Sequence, residues 1–343
     1  MDRRGEKLGG AHRMTSTANT IRLPVLVPCV ALLLALGAAP AAAIDYPTRP
    51  ITLIVSHQPG GPSDVIARIL GRMLMQVLKQ PIVIENRPGA GGNIAGEQAA
   101  HAAADGYTLL MGNTSILATS SARKKDIGFD PQLDFAPITL LGTQANALVV
   151  NPALPVRTLP QLIELARAKP GFITFASAGH GSASHLAGEM FKAKAQANLV
   201  HVPYKKPGPA LQDVVGGHVQ IMFAPAALVA NHVRAERLRA LGVATAKRSP
   251  LLPGVATIDE LGLPGFDATT WYGLVAPAGT PKKIIDVLHH STAAALEDPA
   301  ARRIMSGLGI DVVGNSPREF KAYIETQIPK WSAVIKSIVA HTN

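Results

Sequence analysis

Short apolar runs alternate with segments of helical periodicity along most of the chain. Ile51-Thr-Leu-Ile-Val-Ser56 reads as a short buried strand, broken by Pro59-Gly60-Gly61-Pro62. Ile66, Ile69, Leu70, Met73 and Val77 then recur at helical spacing. Ile82–Glu85 is a second strand. Arg87-Pro-Gly-Ala-Gly-Gly92 and a small-residue helix from Ile94 to Ala104 follow it, and Tyr107–Met111 is a third strand. A βαβαβ order implies parallel strands with right-handed crossovers.

Phe135–Val150 holds two apolar runs separated by residues 142–145, and Asn151-Pro152 and Leu154-Pro155 then punctuate the chain. A second αβ series follows. It comprises helix Leu159–Ala168, strand Ile173–Ala176, helix Ser184–Ala195, strand Leu199–Val202, helix Pro209–Val215, and strands Gln220–Phe223 and Leu238–Val243. Tyr272–Ala276 returns as a strand, and helices Pro281–Leu296 and Ser316–Ile338 close the pattern. This predicts two α/β lobes, the first discontinuous (44–148 and 269–343) and the second spanning 149–268. A ligand cleft is expected at the carboxyl ends of the strands.

The N-terminus has a different character. Arg3, Arg4, Lys7, Arg13 and Arg22 precede an apolar run from Leu23 to Ala39, which closes on Ala41-Ala42-Ala43. That is the layout of a secretory signal peptide cleaved after Ala43, with Met14 an alternative start, and it places the product in the periplasm. Cys29 opens the apolar run behind Val27-Pro28, which does not suit lipid attachment. Removing residues 1–43 leaves 300 residues with 28 Lys/Arg against 21 Asp/Glu, a net charge of +7, and no cysteine. Thiol chemistry and disulfides are then excluded. Over the whole chain, 47% hydrophobic residues exclude intrinsic disorder. With 4% aromatic residues and no block of five basic residues, nucleic acid is not an expected partner.

Two turns carry candidate chemistry. Pro59-Gly60-Gly61-Pro62-Ser63-Asp64 links a strand to a helix, where glycines admit close backbone approach and the helix start offers unpaired N–H donors. Gly179-His180-Gly181-Ser182-Ala183-Ser184-His185 repeats the arrangement. Together the turns suit a carboxylate held from two sides. The same residues also suit plain βα turns, with Ser182 or Ser184 as a helix cap. Asn113-Thr114-Ser115 closes the third strand at the edge of the expected cleft, and Trp271-Tyr272 reads as core or as cleft wall. Neither Ser182 nor Ser184 sits in a G-x-S-x-G elbow, although a serine-dependent hydrolase using Ser182 and His185 on another fold is an alternative. Gly89-x-Gly91-x-x-Ile94 lacks the third glycine of a dinucleotide fingerprint, and neither a P-loop nor H-E-x-x-H occurs. The histidines are scattered in sequence, so no metal site and no cofactor are expected.

Several short stretches, in this order and spacing, resemble the Bug-type extracytoplasmic solute receptors of the tripartite tricarboxylate transporter system. They are Tyr46-Pro-x-Arg-Pro50, Pro59-Gly-Gly-x-x-Asp64-x-x-Ala-Arg68, Glu85-Asn-Arg-Pro-Gly-Ala-Gly-Gly92, Gly181-Ser-x-x-His-Leu186, His201-Val-Pro-Tyr-Lys205, Lys247-Arg-Ser-Pro250 and Trp271-Tyr-Gly-Leu-Val-Ala-Pro-Ala-Gly-Thr-Pro281. The resemblance runs from Tyr46 to about Lys336. It implies a two-lobed type II periplasmic binding protein fold with two hinge strands. It also implies a small carboxylate as ligand, membrane permease subunits as partners, and no enzymatic activity.

On the matching positions the implied ligand-binding residues are His57, Gln58, Gly60, Gly61, Ser63 and Asp64, then Ser177, Gly181, Ser182 and His185. Asn113 and Thr114 stand at the strand edge, and Tyr204 and the position after Phe223, Ala224, belong to the second lobe. Three positions depart from the family's habit: Lys206-Pro207 before Gly208, Ala224 where an Asp is frequent, and His57-Gln58 where an aromatic is common. Without a carboxylate at 224 the expected ligand is an aromatic or dicarboxylic acid rather than an amino acid. A monomeric receptor serving a transporter is the leading expectation; a ligand sensor for a signalling partner is the other.

Overall fold

The computed structural model describes residues 14–15, 45–120 and 127–342, with side chains described as far as 336. Apart from residues 14–15, the expected signal peptide, Cys29 included, therefore lies outside the described residues. Residues from Asp45 onward form one compact unit built on two sheets.

The first half of the chain supplies β1 (Ile51–Val55), α1 (Pro62–Leu78), β2 (Ile82–Asn86), α2 (Asn93–Ala100) and β3 (Thr108–Asn113). They are followed by a π-helical turn at Ser115–Thr119, then β4 (Phe135–Gln144) and β5 (Asn146–Val150). Next come α3 (Leu159–Ala168), β6 (Thr174–Ser177), α4 (Ala183–Ala195), β7 (Val200–Pro203) and α5 (Pro207–Val215). The chain continues with β8 (Ile221–Pro225), α6 (Ala226–Arg234), β9 (Arg239–Val243) and β10 (Thr270–Pro277). It ends with α7 (Lys282–Glu297), α8 (Pro299–Gly307), β11 (Ile310–Val312) and α9 (Pro317–Thr342).

The first sheet has the order β11-β4-β10-β3-β1-β2 and the second β7-β6-β8-β5-β9. β1 pairs in parallel with β2 and β3, as the βαβαβ pattern implies. The sheet is nonetheless mixed, because β10 runs antiparallel to both β3 and β4, and β11 antiparallel to β4. The second sheet repeats the design: β6 is parallel to β7 and β8, whereas β5 is antiparallel to β8 and β9. The chain passes from first sheet to second at Ala145, between β4 and β5, and returns between β9 and β10.

The two passages are tied together. Asn146 Nδ2 donates to Ala268 O at 2.8 Å and to Thr270 Oγ1 at 2.9 Å, and Ala244 N donates to Asn146 O at 2.7 Å. Burying this amide is tolerable because its donors are satisfied.

The inner face of α1 is made by Ile66, Ala67, Leu70 and Leu74, all buried; Val77, which shares the periodicity, is exposed in the last turn of the helix. α2 stops at Ala100 rather than at Ala104, although three alanines follow His101 before Asp105-Gly106. The elements that periodicity missed are short: the π-helical turn, α6, α8 and the three-residue β11. One hydrophobic cluster runs through both halves and includes Leu110, Phe175, Phe223, Trp271 and Phe320; separate clusters cover the remaining face of each sheet. The long helix α9 touches β4, the π-helical turn and also α4, so it packs against elements of both halves.

Candidate functional site

The carboxyl ends of the parallel strands β1 and β6 open into glycine-rich turns, and the two turns face each other. A cavity of about 420 Å³ is lined by Gln58, Gly60 and Gly61 from the first turn and by His180, Gly181 and Ser182 from the second. Gly89, Gly91 and Gly92 close it behind, and Lys205, Lys206 and Pro207 form a further side. A smaller hollow of about 120 Å³ adjoins it and shares His57, Pro62, Ser115 and Ser182 with it. Its remaining wall includes Gln144, Asn146, Thr270 and Tyr272, residues of the two chain passages themselves.

Four helices begin at the larger cavity. Gly61, Gly92, Ser182 and Lys206 are the N-caps of α1, α2, α4 and α5, and all four line it. Each helix start concentrates unpaired N–H groups and a partial positive charge. Among the described residues, no Asp or Glu lines either hollow, and two lysines do. His57 lines both; burial lowers its pKa and keeps the imidazole neutral near pH 7.

The first turn is held from behind. Asp64, in the first turn of α1, accepts from Gly60 N, Arg68 Nε and Asn86 Nδ2, each at 2.9 Å. Burial alone would raise the Asp64 pKa, but these donors outweigh it and hold the carboxyl below its usual value. Asn86 Nδ2 also donates to His57 O, so one amide braces both ends of the turn. Asp64 thus shapes the turn and does not line either hollow. Ser63 is fully buried behind the wall, with its hydroxyl unpaired among the described residues.

The second turn is braced by Ser182. Its hydroxyl donates to Gly179 O at 2.7 Å and accepts from His185 N, capping α4. Gly181 meets the first half of the molecule directly: a Cβ there would stand 3.9 Å from Gly91 Cα, and Ser115 Oγ donates to Gly181 O at 2.9 Å. Ser182→Ala is expected to weaken ligand binding about 5- to 30-fold (roughly 1–2 kcal/mol), because losing the bonds to Gly179 O and His185 N releases the turn that aims the first N–H groups of α4. Titration calorimetry reads this loss, and a melting curve separates it from the cost of the missing cap.

The remaining expected site residues divide. Asn113 and Thr114 line the smaller hollow. Asn113 Oδ1 accepts from Ser115 N and Ile116 N, and its Nδ2 donates to Ser56 Oγ, so the side chain also ties the strand end to the neighbouring turn. Thr114 is buried with an unpaired hydroxyl. Ser177, His185, Tyr204 and Ala224 line neither hollow. Ala224 is fully buried against Ala147 in the β5–β8 ladder, and the neighbouring Pro225 reaches the smaller hollow instead. Tyr204 donates to Asp213 at 2.6 Å. Of the Trp-Tyr pair, Trp271 is core and Tyr272 lines the smaller hollow, with its hydroxyl on Gln144.

Ser115, read at the cleft edge, does line both hollows, whereas lining residues missed from sequence include Ser56, Gln144, Asn146 and Thr270. The last three come from where the two passages run side by side, which no local motif signals.

A serine nucleophile is not assembled here. The Ser182 hydroxyl meets Gly179 O and Ser184 Oγ, while His185 Nδ1 accepts from Gly181 N. No base addresses the hydroxyl, so the hydrolase alternative lacks its dyad.

Against the expectation that the histidines stay apart, His180, His185 and His201 meet. Parallel pairing sets His201 of β7 beside Phe175 of β6, and the turn into α4 brings the other two over it. Burial, with the neighbouring imidazoles and Lys192 adding to it, pushes the pKa of His185 down to about 3 and that of His201 to about 4.

Two α/β sheets joined by a pair of passages, with a cavity where their turns meet, and the relatives that share this design define the class: a periplasmic solute-binding receptor and not an enzyme. The chain belongs to the family described as "Tripartite tricarboxylate transporter family receptor", which it matches over residues 66–339. Protein BugT of Bordetella pertussis is 38% identical to it over 300 residues, covering 87% of this chain and 92% of that protein. Among solved structures, R. palustris Rpa4515 with adipate has a TM-score of 0.76 at 35% identity, covering 85% of this chain and 98% of that one. MatC from Rhodopseudomonas palustris with bound malate also has a TM-score of 0.76, at 31% identity, covering 84% and 100% respectively.

Proposed function

We propose that this receptor captures a small organic acid without an ammonium group, a dicarboxylic or aromatic acid, in the cavity between the two turns. It then presents the acid to the membrane permease of a tripartite tricarboxylate-type transporter. The wall of the cavity carries the reading: four helix N-termini and two lysines surround it, and among the described residues it holds no carboxylate to balance a ligand ammonium. One carboxylate is held by backbone N–H groups at the starts of α1 and α4, in the turns at Gly60–Asp64 and Gly181–Ser184. A second acidic group faces Lys205 and Lys206. The adipate and malate of the two related structures are dicarboxylates, which supports this choice.

On this reading residues 44–148 with 269–343 form one lobe and 149–268 the other. Closure is a hinge motion at the two passages. Residues 1–43 are a cleaved export signal, and the mature receptor acts as a monomer.

The test is direct. Mass spectrometry of ligand released from protein purified without denaturation should find a carboxylic acid. Calorimetric titration should then give tighter binding for adipate, malate or benzoate than for glutamate or aspartate. Micromolar binding of glutamate, with no binding of the three acids that lack an amine, contradicts the proposal.

A further inference from the structure

We propose that His180, His185 and His201 form a binding site for a divalent metal ion of borderline softness, with Zn²⁺ as the test ion. Each residue presents one ring nitrogen, and the three nitrogens lie within 4.8 Å of one another. Zn–N bonds of about 2.0–2.1 Å in a tetrahedral site place ligand nitrogens roughly 3.3–3.4 Å apart. The rings must therefore close by an ångström or so, and His180, exposed on its turn, is free to swing.

The ring environments favour one tautomer. Gly181 N donates to His185 Nδ1 at 3.2 Å, which leaves the proton on Nε2 and the lone pair on Nδ1. The Nε2 side faces the buried Glu189, whose Oε1 is 3.9 Å away. His201 Nε2 stands 2.6 Å from Ser177 Oγ, and that hydroxyl reaches Gly179 O at 3.3 Å. With Nε2–H donating to Ser177, His201 also offers Nδ1. A metal at the two Nδ1 positions replaces one weak amide contact; the outer nitrogen of His201 keeps the Ser177 hydroxyl, and that of His185 has the Glu189 carboxylate 3.9 Å away, within reach of a small side-chain shift. That is the second layer metal-bound imidazoles require. Lys192 adds positive charge nearby, but it is paired with Glu189 at 3.0 Å. Phe175 stacks beneath His201 at 4.8 Å and fixes its ring plane.

Three imidazole ligands select Zn²⁺, Ni²⁺, Cu²⁺ or Co²⁺ over Mg²⁺ or Ca²⁺, which take oxygen ligands. Three protein ligands also leave a coordination position open, and His180 belongs to the wall of the solute cavity. The metal site does not depend on which solute the cavity takes.

The experiment uses the full-length receptor without an affinity tag. Zn²⁺ titration with a competing chelating dye should give one ion per chain at micromolar affinity or tighter, and Co²⁺ should give the visible absorption of a four-coordinate site. His180→Ala, at an exposed position, should weaken Zn²⁺ binding roughly tenfold or more with the melting temperature unchanged. His289→Ala/His290→Ala, on α7, should change nothing and controls for adventitious surface binding. Absence of stoichiometric binding overturns the proposal, and so does binding that His180→Ala leaves intact.

Discussion

Gly60→Val is expected to weaken ligand binding by about 2–3 kcal/mol, roughly 30- to 150-fold, while leaving the fold in place. Gly60 has φ +81°, in the left-handed region, where a β-branched side chain is strained. No atom lies within 4 Å of a Cβ added there, so the penalty is conformational and not a clash with the core. The strain is released by moving the turn. That turn is held through Gly60 N on Asp64, so relief on one side breaks the bond that aims the first N–H groups of α1. The added isopropyl group also stands in open space at a residue that lines the cavity. Gly60→Ala, with the same φ demand and a smaller group, should cost about half as much. Calorimetry on the solute found by mass spectrometry reads both effects, with melting curves as the control. Affinity within threefold of the parent for Gly60→Val would remove this turn from the binding site.

The two turns were legible in sequence because a glycine-rich stretch between a buried strand and an amphipathic helix has a local signature. Gly61 and Ser182 indeed share one cavity. The side chains within each turn were harder to assign. Asp64 reads as a candidate ligand contact from its place in the motif, yet three donors around it make it the brace of the turn. Ala224 is a cleft position only through the family resemblance, yet strand alternation points it into the second sheet's core and leaves Pro225 at the hollow. The mixed character of the sheets was hidden for a related reason. An antiparallel strand such as β10, inserted far along the chain between β3 and β4, carries the same apolar run as a parallel one. The histidine cluster depends on a register, Phe175 opposite His201, that joins residues 26 apart in sequence. Nothing local announces it.

Trp271→Ala is expected to cost about 3–5 kcal/mol of stability, the scale of truncating a fully buried large aromatic. The residue sits near the start of β10, whose eight residues are all buried, in the middle of the first sheet. Its ring is fully buried and meets Phe320 edge-to-face at 6.0 Å and Tyr323 at 5.5 Å, both on α9. Two residues on, on the same face of the strand, Gly273 provides the complementary notch: a Cβ there would stand 2.1 Å from Phe320 Cζ. Trp271 and Gly273 thus form a ridge and a hollow into which α9 docks, and Tyr272 between them points the other way, to the ligand cavity. Removing the indole leaves a void that the flanking strands β3 and β4 cannot close without breaking their ladders. The melting temperature should fall by on the order of 6–15 °C. Trp271→Phe should cost far less, because the indole N–H is buried without a partner and its removal relieves an unsatisfied donor. The same pair of variants separates packing from binding. Trp271→Phe should keep solute affinity within about twofold, since the ring touches α9 and not the cavity. If Trp271→Ala melted within 2 °C of the parent, the docking of α9 on this strand would have to be assigned to other contacts.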